Sequence, residues 1–92
     1  MSMNRQQRYL EVTFRHGKPQ AAYLSLNRRP GDSAARSEPR EDGYVVDFAA
    51  DGRAIGVEIT APSRFSVRGV NAILASIGEE PISATDAAPL AA

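Results

Sequence analysis

The chain has 92 residues, enough for one small domain that buries roughly 60–65% of its unfolded surface, so we expect modest stability or help from self-association. Its eleven basic side chains balance eleven carboxylates, and a chain without a positive excess lacks the charge that non-specific nucleic-acid binding needs. Because it contains no cysteine, disulfides, thiolate catalysis and cysteine-based zinc sites are excluded.

The single histidine and the polar start of the chain exclude further classes. His16 alone argues against multi-histidine metal sites and the usual histidine-based catalysis. No apolar run approaches the ~18 residues of a membrane span, and residues 1–7 lack the apolar segment of a secretory signal. We therefore expect a bacterial-type cytoplasmic protein with no membrane partner and no cofactor.

The first half of the chain begins with a predicted β-hairpin. Residues 1–7 are polar and are predicted to be disordered. Residues 8–15 then alternate with period two, which is typical of a half-buried strand. Glycine and proline predict a hairpin loop at residues 16–20, followed by a second strand at residues 21–26. Both strands direct their apolar side chains to one face: Leu10, Val12, Phe14, Ala22, Leu24 and Leu26.

Residues 27–43 are the segment least typical of regular structure. They contain two prolines, two glycines and eight charged side chains, four of each sign. We predict a long polar surface loop, although so long a connection is unusual inside a compact domain. The alternative is that residues 35–40 form a short polar edge strand.

Residues 44–61 predict the β-hairpin around which the rest is organised. Asp51 and Gly52 signal a two-residue turn, because both tolerate the positive φ of a type I′ turn. Pairing outward from that turn places the apolar side chains on one face, as Phe48 opposite Ile55, Val46 opposite Val57, and Tyr44 opposite Ile59. The other face then carries Val45, Asp47, Gly56, Glu58 and Thr60.

A helix is predicted from about Val67 to Ile77. Ser66 is suited to cap its start, and Gly78 is suited to the left-handed position that ends a helix. The helix carries one apolar stripe at helical spacing, formed by Val67, Val70, Ile73, Leu74 and Ile77. That stripe is expected to pack across the apolar face of the sheet.

Together these elements predict one α+β domain at residues 8–80, in the order ββ-loop-ββ-α. It has two layers, an antiparallel sheet of about four strands with one helix packed on one face. Residues 81–92 are expected to form a C-terminal tail. No helix remains to cover the other face of the sheet, whose apolar and aromatic side chains mark a possible interface: Tyr9, Tyr23 and Val45.

Two patterns in the central hairpin suggest chemistry, and both are weak. Residues 47–58 nearly match a calcium-binding EF-hand loop, but Ala49 supplies no side-chain oxygen and the flanks are not helical. Asp47 and Glu58 also suggest a paired-carboxylate acid–base site, without a nucleophile or a recognisable cleft. Stacking of nucleic-acid bases on the tyrosines lacks a basic surround. We therefore predict no catalytic, cofactor-binding or metal-binding residues and no nucleic-acid partner.

The run YVVDFAADGRAIGVEITAPSR, preceded by YLEVTFR and AAYLSL, resembles a short bacterial family known as domain of unknown function 2283. The resemblance covers roughly residues 8–78. The matching positions, expected to be structural, are Asp47, Asp51, Gly52, Gly56 and Glu58, together with Val57 and Ile59. The chain departs from the family at Ala49 and Ala50, where acidic residues are usual, and at Val57, where isoleucine is commoner.

The family has no established activity, and the encoding of some members beside small toxin-like proteins implies an antitoxin or accessory role. We expect this chain to be a non-enzymatic protein-interaction module, with a second copy or another protein as its partner. The alternative is an antitoxin-like inhibitor of a small partner toxin.

Overall fold

A computed structural model describes residues 8–91, and the predicted disordered N-terminus, residues 1–7, lies outside them. The chain forms five strands, which are β1 (Tyr9–Arg15), β2 (Lys18–Ser25), β3 (Arg36–Pro39), β4 (Tyr44–Phe48) and β5 (Ala54–Ile59). Two helices follow, α1 (Val67–Ser76) and the short α2 (Ala88–Ala91). The predicted α+β class with an antiparallel sheet is confirmed.

The strands lie in one antiparallel sheet in the order β1-β2-β5-β4-β3. The fifth strand, β3, exceeds the predicted number of about four. It lies within residues 35–40, for which a short edge strand was the alternative prediction to a continuous loop. It pairs with β4, where Arg36 lies opposite Phe48. A sequence this polar forms a strand here because an edge strand needs only one hydrogen-bonding neighbour and leaves its side chains in water.

The central hairpin keeps the predicted register at its base and loses it near the turn. As predicted, Tyr44 lies opposite Ile59 and Val46 lies opposite Val57. Phe48 was predicted to lie opposite Ile55, and this was wrong, because its partner is Ala54.

The physical reason is the turn, which uses residues 50–52 rather than Asp51 and Gly52 alone. The amide of Ala49 donates to the Arg53 carbonyl oxygen at 2.8 Å, and the amide of Gly52 donates to the Ala49 carbonyl oxygen at 2.9 Å. Gly52 has a φ of +92°, so the loop is a three-residue hairpin connection ended by a left-handed glycine. The strands return to register through a bulge at Ile55.

The first hairpin also turns more tightly than predicted. Arg15 lies opposite Lys18, so residues 18–20 belong to β2 and not to the loop. The turn needs only His16 and Gly17, because both adopt positive φ, 54° and 76°, as a type I′ turn requires.

The hydrophobic core lies between one face of the sheet and α1. Val70 and Leu74 of α1 are completely buried, and they join a cluster with sheet residues that include Leu24, Val46 and Val57. Such spacing along a helix puts both side chains on one face. This confirms the predicted packing of the helix on one face of the sheet.

Both predicted ends of α1 are confirmed. At the start, the Ser66 hydroxyl accepts a hydrogen bond from the Gly69 amide at 2.9 Å. At the end, Gly78 has a φ of +77°, and the Glu79 amide donates to the Leu74 carbonyl oxygen at 2.8 Å. This is the hydrogen bonding of a Schellman motif.

The segment predicted as a tail, residues 81–92, is attached to the domain as far as it is described. The Asn71 side chain accepts from the amide of Ile82 at 2.8 Å and donates to its carbonyl oxygen at 3.1 Å. Three apolar side chains of the segment are buried in the core: Ile82, Ala87 and Leu90. Neither helix within residues 8–91 is long and apolar enough to cross a membrane.

Candidate functional site

The sheet face opposite α1 collects most of the residues that the sequence singled out. Strand pairing aligns them in two neighbouring rows across the sheet. One row is Tyr9, Ser25, Gly56, Asp47 and Ser37, and the next is Glu11, Tyr23, Glu58, Val45 and Pro39. The possible interface residues and three of the family-motif residues therefore share this face. Of the other matching positions, Asp51 and Gly52 lie in the β4–β5 turn, and Val57 and Ile59 are buried in the core.

Asp47 is the buried centre of a polar network on this face. Asp47 is only 5% exposed. The Ser37 hydroxyl donates to Asp47 Oδ1 at 2.6 Å, and the Tyr23 hydroxyl donates to Oδ2 at 3.0 Å. Arg28 Nη1 in turn donates to the Tyr23 oxygen at 3.1 Å. Both carboxylate oxygens are thus satisfied, which is what a nearly buried charge requires.

Tyr23 reaches Asp47 by lying across Gly56. A Cβ atom at position 56 would lie 2.6 Å from Tyr23 Cε2 and closer still to Cζ and Oη, which no unstrained side chain tolerates. Tyr23 occupies the space that a side chain at position 56 would need. Glycine is therefore needed here for space.

The network also changes how tightly its members hold protons. Burial, the hydrogen bond to Asp47 and repulsion by its charge raise the pKa of Tyr23 to about 12. Burial is also the largest cause that raises the pKa of Glu58 above its usual value, and the nearby Asp47 carboxylate raises it further. Burial, supported by the Asp47 carboxylate, thus raises the pKa of both Tyr23 and Glu58.

This arrangement is suited to joining strands rather than to acid–base catalysis. A catalytic base must be within reach of its substrate, whereas Asp47 is almost completely buried and both of its carboxylate oxygens accept hydrogen bonds from other strands. Glu58 lines a shallow depression together with Glu11 and Thr13. The volume of this depression, about 300 Å³, is at the lower limit for a ligand pocket. Within residues 8–91, no group of three or more histidine, cysteine, aspartate or glutamate side chains is placed to hold a metal ion.

The polar face is not as bare as the sequence suggested, because part of the predicted loop folds over it. The Arg28 guanidinium lies 5.8 Å from the centre of the Tyr23 ring. Asp32 binds Arg53 through two hydrogen bonds of 2.8 and 3.2 Å, which lower the pKa of Asp32 to about 2. Asp51 also binds Arg53, at 2.8 Å. These contacts tie the loop to the β4–β5 turn.

The exposed aromatic side chains of the described chain lie at the two ends of edge strand β1. Tyr9 is 55% exposed and Phe14 is 50% exposed, and every other large hydrophobic residue within the described range is less exposed. Phe14 shares the core face with Leu10 and Val12, which are partly buried against the core. Alternation places Phe14 on the apolar face as predicted, yet its ring stays half exposed, because α1 has only ten residues, about 15 Å, and leaves the edge strand partly uncovered.

The opposite edge, β3, is protected in ways that β1 is not. It has four residues and includes Pro39, and both features disfavour pairing with another strand. Arg36 stacks on the Phe48 ring at 4.2 Å and pairs with Glu38 at 3.3 Å. In contrast, β1 has seven residues and no proline.

Comparison of the chain with family models, with curated proteins and with solved structures finds no match. The resemblance to domain of unknown function 2283 therefore stays a prediction. Sequence reasoning missed Ser37, Arg28 and the exposure of Phe14. The alternation of Arg36, Ser37 and Glu38 was a sequence signal that could have placed Ser37 on a strand. The contact of Arg28 depends on the path of the loop, and the exposure of Phe14 depends on the strand order.

Proposed function

We propose that this chain is a non-enzymatic interaction module, a member of domain of unknown function 2283, that self-associates through the open edge of β1. The observation that carries the proposal is a seven-residue edge strand that has no neighbouring strand on its outer side within residues 8–91, with Tyr9 and Phe14 exposed on it. An edge strand presents unpaired N–H and C=O groups. Exposed aromatic side chains are the usual anchors of protein interfaces.

The charge of the chain supports the same proposal. With a formal net charge of zero, two copies approach without net repulsion, and such neutrality favours association. The buried charge of the sheet, Asp47, is already satisfied within one copy. Association through β1 leaves that network undisturbed, whereas docking on Tyr23 would compete with Arg28.

The test is the mass in solution across a range of concentrations, measured by light scattering and sedimentation. We expect the wild type to dimerise as the concentration rises. Phe14→Lys should remain monomeric, because a lysine on an edge strand resists further pairing. Ala50→Lys is the matched control, since it adds the same charge at an exposed position in the β4–β5 turn, and it should dimerise as the wild type does.

Thermal unfolding of the two variants at low concentration verifies that both remain folded. A wild type that stays monomeric throughout contradicts self-association, and a folded Phe14→Lys variant that dimerises normally contradicts the role of β1. A monomer would favour the alternative, an antitoxin-like inhibitor whose β1 edge accepts an extended segment of a small toxin. Co-purification with the product of the neighbouring gene tests that alternative.

A further inference from the structure

We infer that two copies of the chain pair β1 against β1 in an antiparallel arrangement whose twofold axis passes through Val12. The inference rests on the proposed self-association through β1 and adds the direction and the register of the pairing. Each sheet has five strands in which β1 is terminal, so the pairing creates one continuous sheet from both copies. A contact of this kind is isologous and closes as a dimer.

The sequence of β1 is complementary to itself in this register. On the core face, Leu10 lies opposite the partner's Phe14 and Val12 lies opposite the partner's Val12. On the other face, Tyr9 lies opposite the partner's Arg15, which permits a cation–π contact. All residues of Tyr9–Arg15 gain a cross-strand neighbour. The exposed rings of Tyr9 and Phe14 are both covered.

The neighbouring registers are worse for identifiable reasons. An axis at Glu11 places two glutamates directly opposite each other, and like charges in that position destabilise a sheet. An axis at Thr13 matches Glu11 with the partner's Arg15, but it sets Tyr9 and Leu10 against turn residues 16 and 17 and shortens the pairing. The irregularity between β1 and β2 does not interrupt β1, because the unpaired residue, Gln20, is on β2.

The area available predicts a weak dimer. A buried aromatic side chain removes 150–250 Å² from water, so each half-exposed ring of β1 has on the order of 100 Å² left to bury. The four rings of two copies then contribute on the order of 400 Å², and a stable interface needs about 1,200–2,000 Å². Leu10, Val12 and the paired backbones supply part of the difference. We therefore expect a dimer that dissociates on dilution.

Single cysteines in β1 read the register directly, since the chain has no cysteine of its own. Val12→Cys, Glu11→Cys and Thr13→Cys are each treated with a mild oxidant that joins close thiols as disulfides, at a concentration where the wild type dimerises. The twofold axis brings Val12→Cys against itself, so it should give several-fold more linked dimer than the other two. Ala50→Cys, in the exposed β4–β5 turn, is the matched control and should give almost none.

A second measurement does not require a change at half-buried Val12. Glu11 and Thr13 are exposed, and in the inferred register each lies opposite the other across the axis. A mixture of Glu11→Cys and Thr13→Cys should therefore cross-link more than either variant alone. If the wild type dimerises but Glu11→Cys alone or Thr13→Cys alone gives the most linked dimer, the register is overturned and self-association stands. A monomeric wild type would overturn both.

Discussion

The close approach of Tyr23 to Gly56 makes Gly56→Ala the most informative single substitution in the sheet. The new methyl group would lie 2.6 Å from Tyr23 Cε2 and nearer still to Cζ and the hydroxyl oxygen, so the ring has to move. Its movement breaks the 3.0 Å hydrogen bond to the buried Asp47 carboxylate, which then keeps only Ser37 as a side-chain donor.

The expected cost follows from these two effects. Loss of a hydrogen bond to a charged acceptor costs about 1.5–3 kcal/mol, and overpacking costs about 1–3 kcal/mol. The smaller conformational entropy of unfolded alanine compensates by only about 0.4–1 kcal/mol. We expect Gly56→Ala to lower the free energy of unfolding by about 2–5 kcal/mol, which is large for a domain of this size.

Urea unfolding with linear extrapolation measures this change, and a double-mutant cycle tests its cause. In a Tyr23→Ala background the ring is absent, so Gly56→Ala should cost almost nothing. In a Tyr9→Ala background, which removes an exposed tyrosine from the same face, Gly56→Ala should keep its full cost. The reasoning would be refuted by a Gly56→Ala variant within about 0.5 kcal/mol of the wild type, or by equal costs in the two backgrounds.

Three further substitutions test other parts of the structure. Leu74→Ala, at a completely buried core position, should lower the free energy of unfolding by about 2–5 kcal/mol in urea titrations; a change below about 1 kcal/mol would contradict the core assignment. Ser66→Ala removes the acceptor for the Gly69 amide and should cost about 1 kcal/mol with reduced helical circular dichroism, whereas Ser66→Asp should retain most of the stability. The pKa of Glu58 is raised in the folded state, so protonation of Glu58 favours folding. This contribution to stability is fully present below the unfolded pKa of Glu58 and is lost as pH rises through its folded pKa. Glu58→Gln should therefore be more stable than the wild type at neutral pH and equal to it in acid, and urea midpoints that differ by the same amount at every pH would exclude this linkage.

The sequence alone determined the local elements of this protein. Period-two alternation placed the strands of both hairpins, and it set Tyr44 opposite Ile59 correctly, because a one-residue slip would expose the apolar face. The start and end of α1 were equally readable, since Ser66 and Gly78 act on backbone groups within one helical turn.

Tertiary structure decided the features on which the proposed function rests. Strand order places β1 at the edge and so exposes Phe14, which alternation alone assigns to the core face. The hydrogen bonds of Asp47 join residues that are 24 and 10 positions away, Tyr23 and Ser37, and neither contact leaves a local pattern. Alternation specifies which face of a strand is apolar, but which strands become neighbours depends on the packing of the chain. Within residues 8–91 that packing leaves the outer edge of β1 without a neighbouring strand.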